Sequence, residues 1–217
     1  MSKTATLHRI IGVGVVPVVR AASSDEALRA VEAIKAGGIP VIEMTMTVPG
    51  ALRVIEKVAA RYGADVLVGA GTVLDAETAR ACILAGAEFI VSPALNLDTI
   101  TMCQRYGKVV LAGALTPTEV LAAWQAGADL VKVFPCDSVG GAKYLKSLKA
   151  PLPQIQMVPT GGVTLQTAAD FIKAGASALG VGSDLVNEQV LQDGMESLIT
   201  ERARRFVEIV KAARQSA

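Results

Sequence analysis

"WQAGADLVKVFP", residues 124–135, holds the pattern that decides the fold. A helix-like run reaches Ala126-Gly127, and within two or three residues the chain enters an apolar strand with Lys132 between two valines. Three other stretches share this grammar: "IKAGGIPVIEMT" (34–45), "ILAGAEFIVSP" (83–93) and "IKAGASALGVGS" (172–183). Glycine suits the junction, because a helix commonly stops with a left-handed residue where a Cβ is penalised. The glycines are Gly37, Gly86, Gly127 and Gly175, about two βα units apart, whereas solenoid repeats are shorter and more uniform. Further strand candidates fall between them: "VVPVVR" (15–20), "DVLVGAGT" (65–72), "KVVLAGA" (108–114) and "IQMVPTGG" (155–162). The pattern predicts eight strands alternating with eight helices.

These strands are nearly continuous Val/Ile/Leu runs, as a parallel sheet buried on both faces requires. Helix starts carry capping residues at Ser23-Ser24-Asp25-Glu26, at Thr116-Pro117-Thr118-Glu119 and at Thr164 before "LQTAADFI". From Met195 to Ala213, Leu198, Ile199, Phe206, Val207 and Val210 are spaced as one helical face. The expectation is an α/β chain forming a single (β/α)8 TIM barrel domain over residues 1–217, with a short N-terminal helix. A doubly wound open sheet is the alternative and would move the site to a switch point.

Composition agrees. Of 217 residues 52% are hydrophobic and 19% charged, which favours a sheet covered on both faces. A net charge of +1 gives no electrostatic reason to expect nucleic acid or a membrane as partner. The longest apolar run, "IIGVGVVPVV" (10–19), is about half of a membrane span, and no secretion signal is recognisable. Cys82, Cys103 and Cys136 form no CxxC pair, and the single histidine, His8, lies in the N-terminal segment. A reduced, cytoplasmic protein needing neither metal nor cofactor is expected.

In a barrel, function collects where strands run into the loops that follow them. Those ends are Arg20, Glu43-Met44-Thr45, Gly69 to Thr72, Ser92-Pro93, Lys132 to Pro135, Pro159 to Gly162 and Gly180 to Ser183. Polar residues and glycines gather there while the strand bodies stay apolar. Lys132 reads in two ways: a side chain that snorkels to the mouth or pairs with a carboxylate, or an amine nucleophile. Burial disfavours the charged form of a lysine, and a neutral amine attacks a ketone to form an electron-withdrawing imine. Glu43 likewise reads as the ion-pair partner of Lys132 or as the acid/base beside an imine. "PTGG" and "GVGS", ending the seventh and eighth strands, together suit a phosphate cradle of backbone amides, although either alone would usually be only a turn. Thr72 either donates its hydroxyl to a substrate carboxylate or caps the next helix. Trp124 and Phe171 are expected to be packing residues on helices.

In combination, "VIEMTMTVPGA", "VGAGTVLDAE", "AEFIVSPALN", "DLVKVFPCDSVGG", "VPTGGV" and "GVGSDLV" resemble the class I KDPG/KHG aldolase family, in order, over about residues 10–186. The resemblance implies a barrel, usually a homotrimer, that cleaves a 2-keto-3-deoxy acid reversibly into pyruvate and an aldehyde without a metal. By motif, Lys132 matches the Schiff-base lysine and Glu43 the general acid/base. Thr72 matches a ligand of the pyruvate carboxylate, and Pro93 and Phe134 match packing residues around the reacting atoms. Gly161, Gly162 and Ser183 match the phosphate end of the pocket. Some members carry a carboxylate-binding arginine four residues after the glutamate, where this chain has Thr47; Arg20 is the candidate substitute. "FPCD" also departs from the commoner "FPAE". Two other readings stay open: a phosphate-binding barrel isomerase or epimerase with Glu43 as base, and a non-catalytic trimeric scaffold.

Overall fold

The computed structural model describes residues 1–216. Helix α1 (Lys3–Val13) precedes β1 (Val15–Val19), and seven further strands follow: β2 (Val41–Thr45), β3 (Leu67–Gly71), β4 (Phe89–Val91), β5 (Val109–Ala114), β6 (Leu130–Val133), β7 (Met157–Pro159) and β8 (Leu179–Val181). Between them lie α2 (Ser24–Ala36), α3 (Ala51–Tyr62), α4 (Ala76–Leu84), α5 (Leu97–Arg105), α6 (Pro117–Gln125), α7 (Gly141–Lys149) and α8 (Ala168–Lys173). After β8 come α9 (Glu188–Gln192), which the repeat pattern did not predict, and α10 (Glu196–Gln215).

Every strand pair is parallel, β1 to β7 lie side by side in chain order, and β8 pairs with β1. A single bridge, Thr160 to Gly180, joins the two remaining edges. The sheet is therefore a nearly closed (β/α)8 barrel rather than a doubly wound open sheet. Each strand is buried along its whole length, which explains its unbroken apolar composition.

Alternation along the strands divides the apolar residues between two cores. Ile42, Met44, Ala70, Ile90, Val131 and Val133 face outward into the layer of helices. Val16, Val41, Leu67, Phe89, Val109, Leu130 and Val158 fill the lower interior, where Ile10 of α1 joins them and Leu7 and Ile11 pack alongside. Helix α1 thus plugs the end of the barrel where the strands begin, leaving the other end for a site. His8 lies on its exposed side.

Several helix starts follow the predicted chemistry. Ser23 accepts the Glu26 N–H, and Thr116 and Glu119 form a complete capping box whose backbone N–H groups hold the Glu119 carboxyl below the usual range. Three details differ from the sequence reading. Thr164 opens a turn, and Thr167 precedes the short helix α8. On α10, Ile199, Ala203, Phe206, Val210 and Ala213 form the buried face, while Leu198 is exposed. Phe171 is buried as expected, but Trp124 is 41% exposed.

The four junction glycines also divide. Gly86, Gly127 and Gly175 have φ of 106°, 92° and 98°, whereas Gly37 has φ −80° and the left-handed turn falls on Gly38, at 91°. Gly37 is instead a contact residue: a Cβ there would overlap the Ala203 Cβ and lie 2.7 Å from the Thr200 carbonyl oxygen, both on α10. Gly37→Ala is expected to cost about 1–3 kcal/mol in urea unfolding, as overpacking does. Gly38→Ala, which meets open space but keeps a positive φ, should cost about 1 kcal/mol. Equal losses at the two positions would contradict the contact.

Candidate active site

The inward positions change character halfway up the barrel. Val18, Glu43 and Gly69 are partners across β1, β2 and β3, and Lys132 pairs in register with Gly113 and Val158. Glu43 and Lys132 therefore enter the interior from roughly opposite sides. Their charged ends meet, with Lys132 Nζ 3.5 Å from Glu43 Oε1 and side-chain exposures of 7% and 3%. Glu43 Oε1 has no hydrogen-bond partner. The lysine ammonium also lies 5.5 Å from the centre of the Phe134 ring, two residues along the chain, within range of its electron-rich face.

Glycines create the space for this pair. A Cβ on Gly71 would overlap the Glu43 carboxyl, and one on Gly69 would overlap the Phe89 ring below it. Gly113 lies against the backbone of Pro93 and Ala94. The buried Ser92 hydroxyl donates to the Ala94 carbonyl at 2.8 Å and accepts the Gly113 N–H at 3.1 Å, fixing the turn that carries Pro93. Thr72 follows β3 with φ 57°, the one non-glycine residue of positive φ among the described residues. Such strain persists only where the surroundings enforce it.

Thr47 makes a closed arrangement with its neighbour. The Thr45 hydroxyl lies 3.0 Å from the Val19 carbonyl, which can only accept, and 2.7 Å from the Thr47 hydroxyl. With one proton per hydroxyl, Thr47 donates to Thr45 and Thr45 to Val19. Thr47, itself exposed, would have to give up this bond before donating to an incoming carboxylate.

A cavity of about 560 Å³ opens at the ends of β1, β6, β7 and β8, lined among others by Arg20, Phe134, Gly161, Gly162, Gly182 and Ser183. Gly161 and Gly162 both have positive φ, 95° and 69°, and a Cβ on either would press on Asp137. The structure thus brings Arg20, Phe134, Gly161, Gly162 and Ser183 to one cavity; Lys132 and Glu43 are buried outside its lining and approach it through the Phe134 ring. Thr72 and Pro93 lie at the ends of β3 and β4, outside the lining of this cavity. The sequence reading did not single out Asp137, Asp184, Asn187 or Arg202, which also line it, as does Thr160 from the strand end at 159–162. Asp137 was within reach as the odd residue of "FPCD"; Arg202, far along α10, had no local signal.

A (β/α)8 barrel with a buried lysine–carboxylate pair and a glycine-walled cavity at its strand ends belongs to the barrel enzymes that work on small molecules. Comparisons narrow the class. The sequence profile described as "KDPG and KHG aldolase" matches residues 8–201. The 2-dehydro-3-deoxy-6-phosphogalactonate aldolase of Escherichia coli K12 is 37% identical over 171 residues, 78% of this chain and 83% of that enzyme. The 2-dehydro-3-deoxy-phosphogluconate aldolase of Treponema pallidum is 33% identical over 198 residues, 91% and 94% of the two chains. Among solved structures, a KDPG aldolase from Legionella pneumophila with pyruvate captured as a covalent carbinolamine superposes with a TM-score of 0.83. It is 28% identical, with 90% of this chain and 95% of that one covered. The chain belongs to the KDPG and KHG aldolase family, whose named members are lyases.

The cysteines stand apart from this chemistry. Burial pushes the thiols of Cys82 and Cys136 up to about 11 and that of Cys103 to about 12, with nearby Asp75, Asp137 and Asp129 adding to the shift. Because the thiolate is the reactive form, iodoacetamide at about pH 7.5 should leave the native protein unlabelled and modify all three cysteines after denaturation. Rapid native labelling of Cys136, measured by peptide mass, would contradict this.

Proposed function

We propose that the chain is a Schiff-base aldolase reversibly cleaving a 2-keto-3-deoxy (phospho)sugar acid such as KDPG, or 2-keto-4-hydroxyglutarate, into pyruvate and an aldehyde. The observation that carries this reading is the buried approach of Lys132 Nζ to Glu43 Oε1 at 3.5 Å. An amine and a carboxylate at that distance supply the two groups that imine chemistry needs, a nucleophile and a proton carrier.

In the proposed cycle the Lys132 amine attacks the C2 ketone of the substrate. Attack requires the amine free of its third proton, and Glu43 stands where that proton can go. Glu43 then returns a proton as the carbinolamine loses water to form the imine. It next takes the C4 hydroxyl proton as the C3–C4 bond breaks, releasing the aldehyde, and the protonated imine accepts the bonding electrons as an enamine. Reprotonation at C3 and hydrolysis free pyruvate and restore the amine. Each proton taken is given back, so no external oxidant or reductant is required. Thr72 is assigned to the pyruvate carboxylate, Pro93 and Phe134 to packing around the reacting carbons, and Gly161, Gly162 and Ser183 to the far, phosphate-bearing end. Arg20 shares its cavity wall with Gly182 and Ser183, which supports assigning it to that far end too, rather than to the carboxylate grip expected from the sequence.

A cytoplasmic location is proposed. It agrees with the absence, among the described residues, of any helix long and apolar enough to cross a membrane. A homotrimer is proposed as well. Leu74 and Leu97, 60% and 54% exposed before and at the start of neighbouring helices, with Trp124 on α6, supply apolar surface for subunit contacts.

Incubation with pyruvate and borohydride should leave a reduced pyruvyl group on Lys132, read by intact mass and peptide mapping. Lys132→Ala should lose the adduct and nearly all turnover; near-normal turnover in that variant would end the assignment. Gly71→Ala is expected to keep Lys132 but displace the Glu43 carboxyl, slowing adduct formation and turnover by roughly 10²–10⁴-fold, the usual contribution of a positioned acid/base. Unchanged rates in a folded Gly71→Ala would remove Glu43 from the proton-carrying role.

A further inference from the structure

The cavity at the mouth has a second cation, from a part of the chain outside the motifs that carry the resemblance. Arg202, in the first half of α10, lines it together with Arg20 from the end of β1. Arg202 is half-buried, and its Nη1 donates to the Asp184 carbonyl oxygen at 3.1 Å, which fixes the guanidinium against the loop after β8. Among the described residues neither Arg20 nor Arg202 has a carboxylate within ion-pair distance, although Arg29, Arg61 and several lysines do. Two carboxylates, Asp137 and Asp184, share the cavity at more than ion-pair distance from either arginine. Asp184 accepts the Leu165 N–H at 3.0 Å, and Asp137 packs along Gly161 and Gly162.

From this arrangement we infer that Arg202 is a specificity-determining residue: with Arg20 it forms a two-guanidinium wall that selects substrates whose far end is a dianionic phosphate. The inference rests on the aldolase reading above. A guanidinium presents a planar fork of donors that matches phosphate oxygens, and one already held by a backbone carbonyl loses little freedom on binding. The neighbouring Gly161-Gly162 turn, where side chains are excluded, lets an anion approach the backbone closely between the arginines and the strand ends. A neutral polyol end would leave both guanidinium groups facing the cavity without an anion, so discrimination follows from the wall itself.

The test compares a 2-keto-3-deoxy-6-phospho sugar acid with its dephosphorylated counterpart as substrates for the wild-type protein and Arg202→Gln. The expected result is a ten- to hundredfold fall in kcat/KM for the phosphorylated substrate, mainly through KM. The dephosphorylated compound should fall much less, so the preference ratio collapses. Arg202→Lys, which keeps the charge and loses the fork, should lie between. An unchanged ratio in Arg202→Gln that still forms the pyruvate–borohydride adduct overturns the role of Arg202 and leaves the aldolase reading intact. No adduct in the wild-type protein overturns both. Should Arg202→Gln fail to fold, inorganic phosphate tested against the wild-type protein decides. Competitive inhibition beyond that of chloride at matched ionic strength supports the wall, and its absence overturns it.

Discussion

Lys132 and Glu43 hold an amine and a carboxylate 3.5 Å apart in the middle of a barrel that is otherwise packed with valine, leucine and isoleucine. Removing two ions from water costs several kcal/mol each, roughly offset only when geometry and hydrogen bonding are excellent. Here they are not, because Glu43 Oε1 makes no hydrogen bond and the separation is longer than an ordinary N–H···O contact. Apolar residues of similar volume would serve stability at least as well. What the arrangement provides is a lysine with a proton acceptor beside it and little water, and the surrounding glycines are shaped to permit it. Gly71 gives way to Glu43, Gly69 to Phe89 and Gly113 to the turn at Pro93.

The same constraint explains the asymmetry of the barrel. The lower interior is closed by apolar side chains and by α1, so whatever polarity the interior carries must open toward the ends of the strands. Closure is weakest on that side, where β7 and β8, each of three residues, meet through the single bridge from Thr160 to Gly180. A Cβ on Gly180 would overlap the Thr160 hydroxyl, so the close approach of the two strands depends on glycine there as well. Beyond the bridge the chains separate into the Gly161-Gly162 and Gly182-Ser183 loops. The seam that contributes least to the sheet is the place where the cavity opens.

Much of this was legible in the residues. Strands buried on both faces read as apolar runs, and a charged residue inside such a run stood out because nothing else there is charged. Which way a residue faces was not legible from periodicity, since inward and outward positions are equally apolar. Only Lys132, Glu43 and the interior glycines betray the register. The junction glycines were found for a partly different reason than the one that holds them. Three relieve a left-handed backbone, but Gly37 makes room for Ala203, a residue far along the chain. Arg202 was illegible for the same cause. Its place at the cavity depends on how α10 packs against α2 and α8 after the short helix α9, and no local spacing encodes that.

The threonine pair at 45 and 47 shows how a substitution redistributes work within such a site. An arginine four residues after the glutamate would bring a cation to the carboxylate end of a 2-keto acid. Thr47 brings a hydroxyl whose single proton is already directed along the chain to Thr45 and Val19. The arginines that line the cavity, Arg20 and Arg202, lie with the loops after β7 and β8. On the proposed assignment of Thr72 to the pyruvate carboxylate, its hydroxyl is a neutral donor, which attracts a carboxylate less strongly than a guanidinium does. Binding energy lost at the pyruvate end is compensated if the far end carries the greater negative charge. By that reasoning the departure at Thr47 and the second guanidinium from α10 fit the proposed reaction together: a substrate anchored by its far end would bring its ketone to Lys132 with less help from the carboxylate.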